Sequence, residues 1–397
     1  RLVSPELPDG VSGHRIVFSA RGGANGYPLL VGTMNGVDGA FTQYASIPLS
    51  TVHTVYDISF APYAGADKYI ALKHGLGGTS RNIYLDDIRI SAIPNRDLMV
   101  QGFELPLFAM QGEQTSAVVS VKNYGKLAQS TYQVRLMDAD TNTQITVVSS
   151  SAALAPDASV EFNLSWVPSL SGLMNVYAEV VLSADADLSN NASAIMQLPI
   201  YDQDHFFHFV GDTQNSGTHN LLPFNFYWKN SLSETIFTAE EMLIPSGFVD
   251  GLMFQYSFVE DLPARPLKLW MKNTGSGDLS AGWLPFDGYT LVFDGVVDFH
   301  AGTNALMLPL SCPFHYEGYN LAIRCNRPMD TQYYNSANHF LYSTSPDSPN
   351  RSRYLYSDSV VYDPASPSAA GTLSSAIPHT QFVISGVQLD APNPVMS

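Results

Sequence analysis

The chain has 397 residues, a formal net charge of −17, 45% hydrophobic residues and only 14% charged ones. That is long enough for two or three domains with separate cores, and too apolar for a disordered tail. The acidic balance argues against nucleic acid as a partner, and no run nears the roughly 20 apolar residues of a membrane-spanning helix, so no transmembrane segment is expected.

Almost every periodic stretch has period two, the spacing of strands with one buried face. Residues 1–94 carry "HRIVFSA", "KYIALKH" and "NIYLDDIRI". In the last of these Asp86 and Asp87 stand side by side, where neighbouring side chains point to opposite faces. Such acids either help hold a structural calcium ion, or one faces solvent while the other accepts backbone N–H groups at a bulge. "AIPNR", residues 92–96, then separates two apolar runs and marks a domain boundary. "LVSPEL", "YDISFAPYAGADKYIALKHG" and "IYLDDIRI" resemble the second half of the jelly-roll module in choice-of-anchor, MAM-like and cleaved-adhesin proteins of Bacteroidetes. The resemblance implies that part of a larger sandwich precedes Arg1 and that calcium sits beside the last strand, at Asp86 or Asp87. Arg1-Leu-Val-Ser lacks signal-peptide features, so a secreted form is expected to have lost its leader already.

Residues 95–200 hold about seven strands in roughly 100 residues, the size of an immunoglobulin-like sandwich. Val119, Val121, Val134 and Leu136 supply alternating inward positions, with Trp166 as a core anchor. "VSVKNYGKLAQSTYQVRL", "LAPDASVEFNLSWVP" and "DADLSNN" resemble the bacterial cell-adhesion-related CARDB family. The acids and amides of 185–191 could ligate a metal or simply hydrogen-bond their own backbone.

Residues 201–386 form a further β-rich unit resembling modules of the same secreted proteins, and 387–397 read as a Pro-spaced linker to a following module. "SETIFTAEEMLI", residues 233–244, is the one stretch ambiguous between strand and helix. Cys312 and Cys325 flank an expected hairpin and are either bridged or two buried thiols. His205 and His208, three apart on a strand, face opposite ways and make a poor zinc pair. Tyr333, Tyr334, Arg353, Tyr354 and Tyr356 are the candidate ligand-binding residues, with Tyr354 and Tyr356 on one strand face and Arg353 and Leu355 on the other. The alternative is that these tyrosines pack across strands, and Trp228, Trp270 and Trp283 read as core. Asp358-Ser359-Val360 resembles a Bacteroides O-glycosylation pattern at Ser359.

No His-Glu-x-x-His, Gly-x-Ser-x-Gly or phosphate-cradling loop occurs, so no catalysis is expected. The expected fold is all-β, with sandwich modules in series. The expected role is a non-catalytic, secreted or cell-surface adhesin that binds a host or matrix protein or a polysaccharide, alongside other domains of the same precursor. The competing role is as accessory or spacer modules of a larger secreted hydrolase, with a protease the first choice.

Overall fold

The computed structural model describes residues 1–76, 81–344 and 350–387. It divides into two compact units, one gathering Arg1–Pro106, Gln114–Val167 and Leu173–Leu198, the other Leu107–Glu113, Pro168–Gly172 and Pro199–Ser397. Regular structure is almost entirely β-strand, as the period-two pattern requires. The stretch 388–397, most of the expected linker, lies outside the described residues.

Within the first unit, residues 1–92 form two antiparallel sheets. One runs Leu2–Val3, Tyr69–His74, Tyr27–Met34, Thr42–Leu49; the other runs Thr54–Ser59, His14–Gly22, Ile83–Ala92. Ile16, Phe18, Val31, Phe60 and Leu72 fill the space between them. The following module pairs Thr115–Asn123 with Ser159–Trp166 and Leu98–Glu104, and Tyr132–Asp138 with Thr143–Ser150 and Gly172–Val181. Its expected inward residues Val119, Val121, Val134 and Leu136 are buried, and so is Trp166.

The proline-containing join is a paired segment. Tyr124 and Gly125 donate to the Asp97 carbonyl, Lys126 to Pro94 and Leu127 to Asn95. Arg15 completes the junction: its guanidinium lies 3.0 Å from the Tyr124 ring centroid and donates to the Asp57 carboxylate at 2.9 Å, while the Tyr124 hydroxyl donates to that carboxylate as well. Glycine is required at 125 because a Cβ there would stand 2.9 Å from the Asp97 nitrogen and 3.0 Å from the Asn95 oxygen.

The second unit is a sandwich of two larger sheets. One is six-stranded in the order Thr290–Phe299, Leu262–Thr274, Asn320–Arg327, Asn230–Phe237, Ser352–Ser357, Thr372–Ser374. The other is built around Gly247–Phe258, which pairs with Gly302–Tyr316, Thr380–Ser385 and His339–Thr344. Phe226, Phe258, Phe299 and Phe340 pack edge to face and stacked between the sheets, over Leu269 and Ile323. The ambiguous stretch divides in two: Asn230–Phe237 is strand, and Ala239–Met242 is a single helical turn. A capping box between Thr238 and Glu241 starts that turn, which is why the pattern read both ways.

Replacing Gly125 with Val forces side chain against backbone at the join, and a cost of about 1–3 kcal/mol is expected. Thermal unfolding should show the first unit's transition lowered and the second unit's unchanged, with faster proteolysis across residues 92–97.

Candidate functional site

The second unit carries a continuous row of rings. Starting from Tyr342, ring centroids run 5.4 Å to His219, 6.0 Å to Tyr354, 6.2 Å to Tyr356, 4.9 Å to Trp228, 5.7 Å to Tyr227 and 6.5 Å to Tyr333. Tyr333 is 62% exposed, Tyr227 44% and Tyr356 37%, while His219, Trp228, Tyr342 and Tyr354 are half-buried. Tyr354 and Tyr356 share a strand face as the alternation requires, opposite Ser233 and Ser231 of the next strand. Tyr356 is stacked between Tyr354 and Trp228, with interplanar angles of 16° and 27°.

The loops bearing the other rings are held by buried polar groups. The Asn225 side chain accepts from the Tyr227 and Trp228 nitrogens at 2.9 and 3.1 Å, fixing the turn that presents both rings. Arg327, with no exposed side-chain surface, donates to the Trp228 carbonyl and, at 2.9 Å, to Asp330. Asp330 also accepts from Arg265 at 2.7 Å and from the Tyr334 hydroxyl at 3.1 Å. Burial opposes its ionisation, but the Gln332 N–H and the two guanidiniums hold its carboxyl below the usual carboxylate range. Tyr334 is thus a support, half-buried between Arg265 and Arg327, and its neighbour Tyr333 is the exposed ring.

The opposite face of the same sheet carries a row of paired charges. Arg324 donates through Nε and Nη2 to Glu234 Oε1 at 3.1 and 2.6 Å, and neither side chain has exposed surface. The Leu284 nitrogen and the Tyr289 hydroxyl donate to the same carboxylate. Burial, with Glu234 second, pushes the Tyr289 hydroxyl well above its ordinary value, so it stays a donor. Arg353 belongs to this row: it is 4% exposed and donates to the Leu279 and Ala370 carbonyls. The expectation of ligand contact by Arg353 is therefore corrected, because the face it points to is covered by chain and not by solvent.

The remaining candidate positions are also placed. Asp86 and Asp87 are both exposed, at a bulge where Val17 pairs with Arg89 and Ser19 with Asp86. Asp87 has φ of 50°, and its nitrogen donates to Asp86 Oδ1 at 2.9 Å. In the 185–191 turn the Asp185 carboxylate accepts from the Leu98 and Asp187 nitrogens, and Asp187 caps the turn at Ser189. Among the described residues no group of three His, Cys, Asp or Glu could hold a metal ion. Cys312 is exposed and Cys325 buried, both as free thiols. Their strands pair into different sheets, so the expected hairpin does not form between them. Ser359 is exposed. Trp228, Trp270 and Trp283 are half-buried rather than core residues. Tyr227 and Trp228 are further members of the row that "NFYWKN" signals, adjacent aromatics between amides; His219 and Tyr342 join it with no such signal in the sequence.

Residues 95–193 match the CARDB family model. A CARDB domain from Pyrococcus furiosus, solved with di-metal ions, is 20% identical and covers 28% of this chain and 94% of its own, at a TM-score of 0.23. A domain of a candidate cell-surface protein from Methanosarcina acetivorans is 13% identical, covering 27% and 92%, also at 0.23. A glycosyl hydrolase family 2 member from Bacteroides cellulosilyticus is 14% identical over 54% of this chain and 29% of that one, at 0.27. Among curated proteins none matches. The family match is confined to the middle module, no catalytic family is indicated, and likeness this low in the solved structures carries nothing further.

Two expectations follow. Glu234→Gln leaves a buried guanidinium without its counter-charge and should cost about 3–5 kcal/mol, read in the second unit's denaturant transition, with part of the loss recovered in Glu234→Gln/Arg324→Met. Burial, with His339 second, lowers the His219 pKa, and burial also lowers that of His379. Unfolded histidine protonates near its ordinary value of about 6.5, before the folded form does. The contribution of these two histidines to the second unit's stability is thus fully present above about 6.5 and is lost as pH falls toward the lowered folded values. His219→Asn should flatten part of that slope in a melting series against pH.

Proposed function

We propose that this chain is a non-catalytic segment of a secreted or cell-surface protein, and that its aromatic row binds a polysaccharide. The observation that carries the reading is the row itself: seven rings in contact, three of them openly exposed, on backbone fixed by Asn225, Arg327 and Asp330. Sugar rings present C–H faces that pack on aromatic faces, and a linear glycan repeats such faces along its length. Rigid rings lose little freedom on binding, which favours them over long flexible side chains. The CARDB domain supports a cell-surface setting, and no helix among the described residues is long and apolar enough to cross a membrane. A sugar-binding row suits an adhesin and suits equally an accessory module that holds a larger secreted hydrolase on its substrate. Calcium at Asp86 and Asp87 remains part of the proposal for the first module, and a host or matrix protein is the alternative ligand for the row.

Affinity electrophoresis of the full chain through gels containing soluble neutral glucans, mannans and xylans tests the reading. Retardation by at least one polymer is expected, weakened about tenfold by Tyr227→Ala and again by Tyr333→Ala, since each tenfold is about 1.4 kcal/mol. Unretarded migration in every gel would reject it.

A further inference from the structure

Behind the aromatic row, on the other face of the six-stranded sheet, lies a cavity of 230 Å³. Trp270 and Lys268 come from one strand, Asn326 from the next and Asn230 from the third, with Met329 and Tyr362 closing it. Register explains the grouping: Lys268 stands opposite Asn326, and Trp270 follows Lys268 by two positions on the same face. The volume is below the about 300–1,000 Å³ of sites for drug-sized ligands, but many times the about 30 Å³ of one water. It is the size for a single small ring.

Its polar groups define what that ring must offer. Asn230 is 1% exposed, and its Nδ2 donates to the Ser357 and Val360 carbonyls at 2.7 and 2.9 Å. Those two acceptors fix the amide's orientation, so the group left without a partner is Oδ1, an acceptor that needs an O–H or N–H donor. Lys268 gives one hydrogen bond to Asp294 at 2.8 Å, which neutralises its charge and leaves ammonium hydrogens for a neutral oxygen. Trp270 adds a half-buried ring face. Hydroxyl donor, oxygen acceptor and apolar face on one small ring are the attributes of a neutral hexose.

We propose that this cavity binds one neutral hexose unit, so that the chain recognises a particular sugar as well as a polymer. The inference deepens the polysaccharide reading and rests on it. Cavity and row share two segments: Asn230 follows Trp228 by two residues, and the Tyr362 hydroxyl donates to the Tyr356 carbonyl at 2.9 Å. Row and cavity open on opposite faces of the sheet, so they are two separate sites on shared strands, one for a polymer and one for a single hexose.

The full chain labelled with fluorotryptophan gives one fluorine resonance for each of its four tryptophans, assigned through Trp270→Phe and Trp228→Phe. Glucose, galactose and mannose are titrated singly, then the polymer retained in the gels. The expected result is a saturable shift of the Trp270 resonance with one of the hexoses at millimolar concentration, with Trp228 unmoved, and about tenfold weaker in Lys268→Met, whose circular dichroism should match the parent. The polymer should shift the Trp228 resonance. If the polymer moves Trp228 alone and no hexose moves Trp270, the row stands and the cavity inference fails. If a hexose moves Trp270 but no polymer moves Trp228, the cavity binds sugar and the row does not. Silence of both resonances overturns both. A crystal structure grown with the hexose that shows only water against Asn230 Oδ1 would also overturn the cavity assignment.

Discussion

The second unit depends on a carboxylate that never meets water. Glu234 lies mid-strand in a sheet face that would ordinarily be solvated, and its charge is held by Arg324 on one neighbouring strand, with Arg353 on the other side. An ionised group there is tolerable because four donors reach it: two guanidinium nitrogens and the Tyr289 hydroxyl at Oε1, and the Leu284 amide at Oε2. The same arginines reach outward to the Leu284, Pro364, Leu279 and Ala370 carbonyls. They thereby fix irregular chain that has few hydrogen bonds of its own. Trp283 seals the arrangement by donating its indole N–H to Ala369, with Phe286 and Tyr289 against the Arg324 guanidinium. Such a network gains less stability than an apolar layer of equal volume would, but it determines where each covering segment must sit.

That determination matters because the binding features lie on those segments and not on the regular strands alone. Tyr362 and Pro364 border the cavity, and Pro364 is an anchor point of Arg324. On the opposite face the turn at Asn225–Trp228 is held from below by Arg327, itself fully buried and paired with Asp330. The unpartnered buried atoms of the second unit include Asn225 Nδ2, Asn230 Oδ1 and Arg327 Nε, all within this region. Each such group costs about 1–3 kcal/mol if it stays unpaired. Asn230 differs from the other two because its residue lines the cavity.

The all-β class, the alternation within strands and the middle domain were legible in the sequence because each rests on local spacing. Val119, Val121, Val134 and Leu136 could be placed inward from period two alone, and they are buried. Sites were less legible, since they depend on what covers a sheet face. Alternation correctly put Tyr354 and Tyr356 opposite Arg353, yet it could not say that the Arg353 side would be roofed by residues far along the chain. The doublet Asp86-Asp87 shows the same limit: one acid turns its backbone to positive φ and leans on the other, a local solution that strand periodicity does not encode. Cys312 and Cys325 looked like hairpin partners by proximity in sequence, but successive strands cross between sheets there.

Charge gives the last constraint on the ligand. With a net −17, the chain repels anionic polymers that come within the roughly 8 Å over which physiological salt leaves a charge unscreened. Close to the row Arg265 and Arg327 are committed to Asp330, and Lys229, next to Trp228, is the one cation there without an ion pair among the described residues. Lys268 at the cavity is paired with Asp294. A sulfated or uronate-rich chain would therefore approach against the field and find a single lysine, Lys229, on arrival. A neutral glycan pays neither penalty, and its affinity rests on ring faces and hydroxyls, the two things that the row and the cavity supply.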